Sequence, residues 1–134
     1  MVEPQSRPQN VLGGKLGVCG TEPLTGFYRD GCCGTGPEDV GSHTVCAVMT
    51  SEFLQQQRLA GNDLLTPIPE YDFSGLGVGD RWCVVAARWL QAYEAGVAPP
   101  VVLAATHARA VDIIPLHLLR QYAVDVPADP SSLL

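Results

Sequence analysis

The sequence predicts a single α+β domain: a short mixed β-sheet with about three packed helices, preceded by a long ordered loop region. Three observations carry this reading. A chain of 134 residues with 46% hydrophobic and 16% charged side chains has material for one buried core and lacks the composition of a disordered segment. From His43 onward, short β-prone and helix-patterned stretches alternate with short connections. Between Gly13 and Ser42, by contrast, Gly, Pro, Thr, Asp and Cys accumulate without any sustained period, which predicts turns and loops. The expected domain covers residues 10–124, with 1–9 and 125–134 as flexible termini.

Thr44 to Met49 is a β-prone apolar run. It ends at Thr50-Ser51, whose hydroxyls can accept from free backbone N–H groups, so a helix is expected through Phe53 to Ala60, stopped by Gly61. Residues 62–79 contain Pro67, Pro69, Gly75, Gly77 and Gly79 and read as a long packed loop. Asp80 resembles an N-cap, and Trp82, Val85, Ala86, Trp89, Leu90 and Tyr93 recur at helical spacing up to Gly96. This predicts a central helix from Asp80 onward. Val101 to Ala105 reads as a buried strand, His107 to Val111 as a short helical piece, and Ile113-Ile114 as a second short strand. Pro115 fits the first turn of a last helix ending near Tyr122.

Eight basic against fourteen acidic residues give a net charge of -6, which repels a phosphate backbone and an anionic membrane surface alike. Nucleic acid and membrane are therefore not expected as partners. The first dozen residues carry Glu3, Gln5, Arg7 and Asn10 and no apolar stretch, so neither a secretory signal nor a transit peptide is expected, and the expected location is cytoplasmic. Five cysteines in that setting predict reduced thiols over a disulfide framework, and an odd count leaves one unpaired in any case.

The densest polar stretch runs from Tyr28 to Cys46, where glycines let the chain bend and thiols, carboxylates, a guanidinium and an imidazole lie between them. For ligand binding it offers Arg29, Asp30, Asp39 and His43, joined by Arg81 at the expected helix start and His107 at a strand-to-helix junction. For thiol catalysis it offers Cys32 or Cys33 as nucleophile, with His43 as the activating imidazole. Cys19, Cys32, Cys33, His43 and Cys46 are soft or borderline metal ligands within thirty positions, and of the adjacent Cys32 and Cys33 one rather than both could ligate. No Cys-x-x-Cys knuckle organises them, however, and His43 and Cys46 fall on opposite faces of a strand, so no metal is expected. A bond between adjacent Cys32 and Cys33 would strain its small ring. No phosphate-binding glycine motif, Gly-x-Ser-x-Gly elbow or His-Glu-x-x-His is present, and no cofactor is expected.

Several long strings are familiar: Asn10-Val11-Leu12-Gly13-Gly14, Pro23 to Cys33, Gly41 to Thr50, Gly61-Asn62-Asp63-Leu64, Gly79 to Cys83, and Ala98 to Leu103. Together they resemble a bacterial family of small uncharacterised proteins, catalogued as domain of unknown function 2237, over most of the chain. The resemblance implies a stand-alone bacterial domain and supplies no catalytic residues. The chain departs from that family's Trp-Cys-Leu-Cys string, with Val84 and Val85 following Cys83, which removes a Cys-x-Cys ligand pair.

The reading that follows is a domain binding a small molecule or an ion through the Arg29 to Cys46 loop. A thiol-dependent enzyme and a structural or interaction protein are the alternatives, and homo-oligomerisation is left open.

Overall fold

A computed structural model describes residues 8–125. The flexible ends expected for 1–9 and 125–134 lie outside this range except at residues 8, 9 and 125.

Strand β1, His43–Val48, pairs antiparallel with β2, Arg81–Val85, in the register Cys46 to Cys83 and Ala47 to Trp82. A bulge leaves Thr44 unopposed, because His43 faces Val85 while Val45 faces Val84. Val101 extends this sheet by single-residue bridges, antiparallel to Ala47 and parallel to Ala123. Helix α1, Ser51–Leu59, follows β1; Thr50 Oγ1 accepts from Phe53 N at 3.1 Å, the cap its hydroxyl predicts. Helix α2, Ala86–Glu94, follows β2 directly, and α3, Leu116–Gln121, follows Pro115.

The α+β class stands, but the central helix does not begin at Asp80. Arg81 to Val85 is a strand, and the helix starts only at Ala86. Trp82, Cys83 and Val84 are all buried because the sheet is covered on both faces, so the run is continuously apolar and satisfies a helical period as readily as a strand. Asp80 does not cap a helix. Its carboxylate accepts from Gly77 N at 2.8 Å and its carbonyl from Met49 N at 2.8 Å, which locks the loop entering β2.

The strand expected over Val101 to Ala105 is also cut short. After Val101 the chain turns into a 3-10 helix, Leu103–Ala105, whose first amides are capped by Asp125: Leu103 N and Ala104 N each donate to its carboxylate at 2.9 Å. Ile113-Ile114 forms no strand either. It closes a 3-10 helix, Ala108–Asp112, with both amides donating to Ala110 O.

Strand alternation sends side chains to two cores. On the helix side, Val45, Ala47, Trp82 and Val84 meet Phe53, Leu54, Trp89, Val101, Ile114 and Leu119. On the other side lie Cys46 and Cys83 with Cys19, Cys33, Val102 and Ala105. The glycine-rich loop region covers this second face. It is tied down by the buried Asn10, whose amide donates to Lys15 O and Ala104 O and accepts from Leu12 N and Gly14 N. No helix among the described residues is long and apolar enough to cross a membrane.

Candidate functional site

The cysteines overturn the expectation of reduced thiols. Cys19 is bonded to Cys46 and Cys33 to Cys83, and Cys32 is the free cysteine among the described residues. The pairing follows from the sheet. Cys46 and Cys83 face one another across β1 and β2, and each reaches away from the strands to a cysteine of the overlying loops. Their backbones are held independently of sulfur: Cys46 N donates to Thr106 Oγ1 at 3.2 Å and Cys83 N to Thr25 Oγ1 at 2.8 Å. The Sγ atoms of Cys19, Cys33 and Cys46 all lie within 4.8 Å of one another. Of the residues considered as metal ligands, Cys19, Cys33 and Cys46 therefore meet, while Cys32 and His43 stand outside.

Cys32 faces a cavity of about 410 Å³ lined by Pro8, Lys15, Leu16, Tyr28, Asp30, Cys32, Gly34 and Thr35. Its amide donates to Asp30 Oδ1 at 3.0 Å, so the thiol and the carboxylate are fixed in one turn. Burial pushes the Cys32 thiol above its ordinary value and the Asp30 charge adds to this, against a smaller opposing pull from Lys15. A thiol so placed stays protonated at neutral pH, whereas a nucleophilic cysteine needs the reverse shift.

Beyond Thr35 stands a second cluster. Buried Asp39 accepts from His43 Nδ1 at 2.7 Å, from His43 N at 2.8 Å and from the Thr35 hydroxyl at 2.9 Å. This pairing favours the tautomer with the proton on Nδ1, leaving Nε2 as acceptor, and the ring leans on Phe27 at 5.7 Å. Burial raises the Asp39 carboxyl, but the bonds from the His43 ring, the His43 amide and Thr35 outweigh it and hold the group below the ordinary carboxylate range. Because the folded value is the lower one, the carboxylate stabilises the fold above its unfolded value and that contribution disappears as pH falls through the folded value. Asp39→Asn should thus cost about 1–3 kcal/mol at neutral pH and progressively less below about pH 4. Urea unfolding of both proteins at neutral and acid pH checks this; a deficit that does not shrink in acid would refute it.

These loops fall within the span recognised by one family model, "Uncharacterized protein conserved in bacteria (DUF2237)", which matches residues 9–123. The chain belongs to this family. No curated protein matches the chain. The DUF2237 match includes all five cysteines, the Asp39–His43 pair and the cavity lining from Lys15 to Thr35.

The remaining ligand-binding candidates of this DUF2237 domain are dispersed. Arg29, with a left-handed φ of 54°, places its guanidinium over the Trp82 ring at 4.9 Å from the centroid, facing a separate cavity of about 300 Å³ with Tyr71 and Phe73. Arg81 is exposed at the start of β2. His107 caps the 3-10 helix, its Nδ1 accepting from Arg109 N at 3.0 Å, and burial, then the Arg109 charge, lower its pKa. The structure thus joins Asp30 with Cys32 and Asp39 with His43, and separates Arg29, Arg81 and His107 from both. Lys15, Tyr28 and Thr35 were not among the expected ligand-binding residues; Lys15 stands outside the dense polar stretch, and the bridge between Gln9 and Lys15 and the bond from the Asn10 amide to Lys15 O bring its segment back.

Proposed function

We propose that this domain binds a small zwitterionic metabolite of amino-acid size in the cavity between Lys15 and Cys32. One observation carries the reading: a single concavity of about 410 Å³ has the opposite charges of Lys15 and Asp30 in its lining, on walls supplied by Pro8, Leu16 and Tyr28. That volume lies in the range of small-molecule sites, and a few convergent polar heads on an apolar wall are their usual composition. A ligand carboxylate would meet the Lys15 ammonium and a ligand ammonium the Asp30 carboxylate. The protonated Cys32 supports a binding role over a thiolate nucleophile.

The test is a titration of the nitrogen-15-labelled full chain with the free L-amino acids, read by amide shifts. Saturable shifts should cluster at Lys15, Asp30, Cys32 and Thr35, and the bound ligand should slow iodoacetamide labelling of Cys32. Gly34→Leu should weaken binding at least about tenfold while leaving the remaining spectrum in place, because a Cβ at Gly34 meets only the Tyr28 ring, at ordinary contact distance (3.7 Å), and the rest of the side chain fills the cavity. Saturable shifts around Arg29 and Trp82 instead, or none with any amino acid, would sink the proposal.

A further inference from the structure

We infer that Cys19, Cys33, Cys46 and Cys83 form a redox-gated site for one thiophilic divalent cation of the zinc type, closed as two disulfides when oxidised and open as four thiolates when reduced. The site stands apart from the cavity at Cys32 and does not depend on the pocket reading.

Three Sγ atoms already lie within 4.8 Å of one another, and the fourth, on Cys83, is bonded to that of Cys33. Zinc bonded tetrahedrally to sulfur at about 2.3 Å sets its sulfurs roughly 3.8 Å apart. No pair of those three sulfurs is thus more than about 1 Å beyond that spacing. All four residues are 2% exposed or less, so a metal between them would be shielded from water.

The strand half of the scaffold is held by bonds that do not run through sulfur. Thr106 and Thr25 fix the Cys46 and Cys83 amides, and β1–β2 pairing sets Cys46 opposite Cys83. The two strands therefore hold Cys46 and Cys83 side by side in either redox state, and the overlying loops bring Cys19 and Cys33 to them. Cys32, next in sequence to Cys33, turns instead to the pocket with its amide on Asp30, and it is excluded from the set.

The chemistry balances with a dithiol or phosphine as reductant. Each disulfide accepts two electrons and two protons and yields two thiols, while a dithiol is oxidised to its own disulfide, or a phosphine with one water to its oxide. The four thiols then release four protons and bind one divalent cation, leaving a net charge of -2 on the centre. An all-thiolate tetrahedral set selects zinc over magnesium or calcium, which prefer oxygen ligands.

The decisive experiment counts thiols on the full chain. The protein is reduced with a phosphine under inert gas, freed of reductant, divided, and alkylated with iodoacetamide with or without one equivalent of zinc chloride; intact mass then gives the adducts. Without metal all five cysteines should react. With zinc the count should fall to one, mapped by peptide mass to Cys32, and native mass should show one zinc per chain. Cobalt chloride in place of zinc should give the thiolate charge-transfer band and strong visible bands of a tetrahedral sulfur site. Cys83→Ala should weaken zinc binding at least about a hundredfold, whereas Cys32→Ala should not change it. Five adducts with and without zinc, or protection that includes Cys32, would overturn the inference, and both readings use the unmutated protein.

Discussion

Replacing Cys33 and Cys83 together by alanine should lower the unfolding free energy of the oxidised protein by about 4 kcal/mol. The bond spans a sequence separation of 50 residues, and closing a loop of that length removes roughly this much chain entropy from the unfolded state. The Cys19–Cys46 bond, across 27 residues, should contribute roughly 3.5 kcal/mol by the same relation. Alanine is the correct replacement, since a serine hydroxyl in this apolar cluster would add an unrelated desolvation cost. Urea denaturation by far-ultraviolet circular dichroism measures the difference. Reductant with a chelator should bring the unmutated protein below the double variant, because it opens both bonds. A loss under about 1 kcal/mol would mean that the loop region is fixed by its hydrogen bonds alone.

That prediction rests on a pairing the sequence obscures. Thr50 declares α1 because cap chemistry is local: a hydroxyl three residues before the amide it serves. Gly96, at a φ of +79° after the Ala95 cap, ends α2 where expected for the same reason. Arg81 to Val85 offers no such signal, since a segment buried on both faces loses the alternation by which a strand is recognised. Once Cys83 is assigned to a helix, its position opposite Cys46 vanishes, and with it the grounds for linking cysteines 27 and 50 residues apart to one cluster. A similar long-range effect ends the extension after Val101, where the cap comes from Asp125, more than twenty residues on.

The candidate site was legible as a region more than as a constellation. Glycine-bent chain between Tyr28 and Cys46 does hold Asp30, Cys32, Asp39 and His43, and the last two meet because short turns bring residues four apart together: Asp39 N donates to Gly36 O and Ser42 N to Asp39 O. Arg29 has the right chemistry at the right place in sequence, yet its left-handed backbone turns it toward Trp82. Composition can mark where polar groups concentrate, but the direction in which each one points depends on backbone torsions and distant partners such as Asn10, whose amide bonds to Ala104 O.

Trp89→Ala should cost about 3–5 kcal/mol, a large part of the 5–15 kcal/mol expected for a whole domain. The Trp89 side chain is fully buried and donates from Nε1 to Pro99 O at 3.1 Å. It stacks on Tyr93 at 5.9 Å and meets the edge of Tyr122 at 5.5 Å, so truncation removes an aromatic network as well as volume, and strands the Pro99 carbonyl. The hole lies on the helix side of the sheet, away from the sulfurs, and this separates its effect from that of the disulfides. Native-state hydrogen exchange should register the difference. Loss of the Cys33–Cys83 bond should release first the loop-side amides of Cys19 and Gly31, whereas Trp89→Ala should lower protection at Leu54, Val101 and Tyr122 and carry the loop side with it. The asymmetry follows from construction: the loops have few regular hydrogen bonds of their own and need the sheet as a floor, while the sheet keeps its helix-side packing when the loops lift. Equal loss of protection on both faces in the disulfide variant would refute this order of dependence.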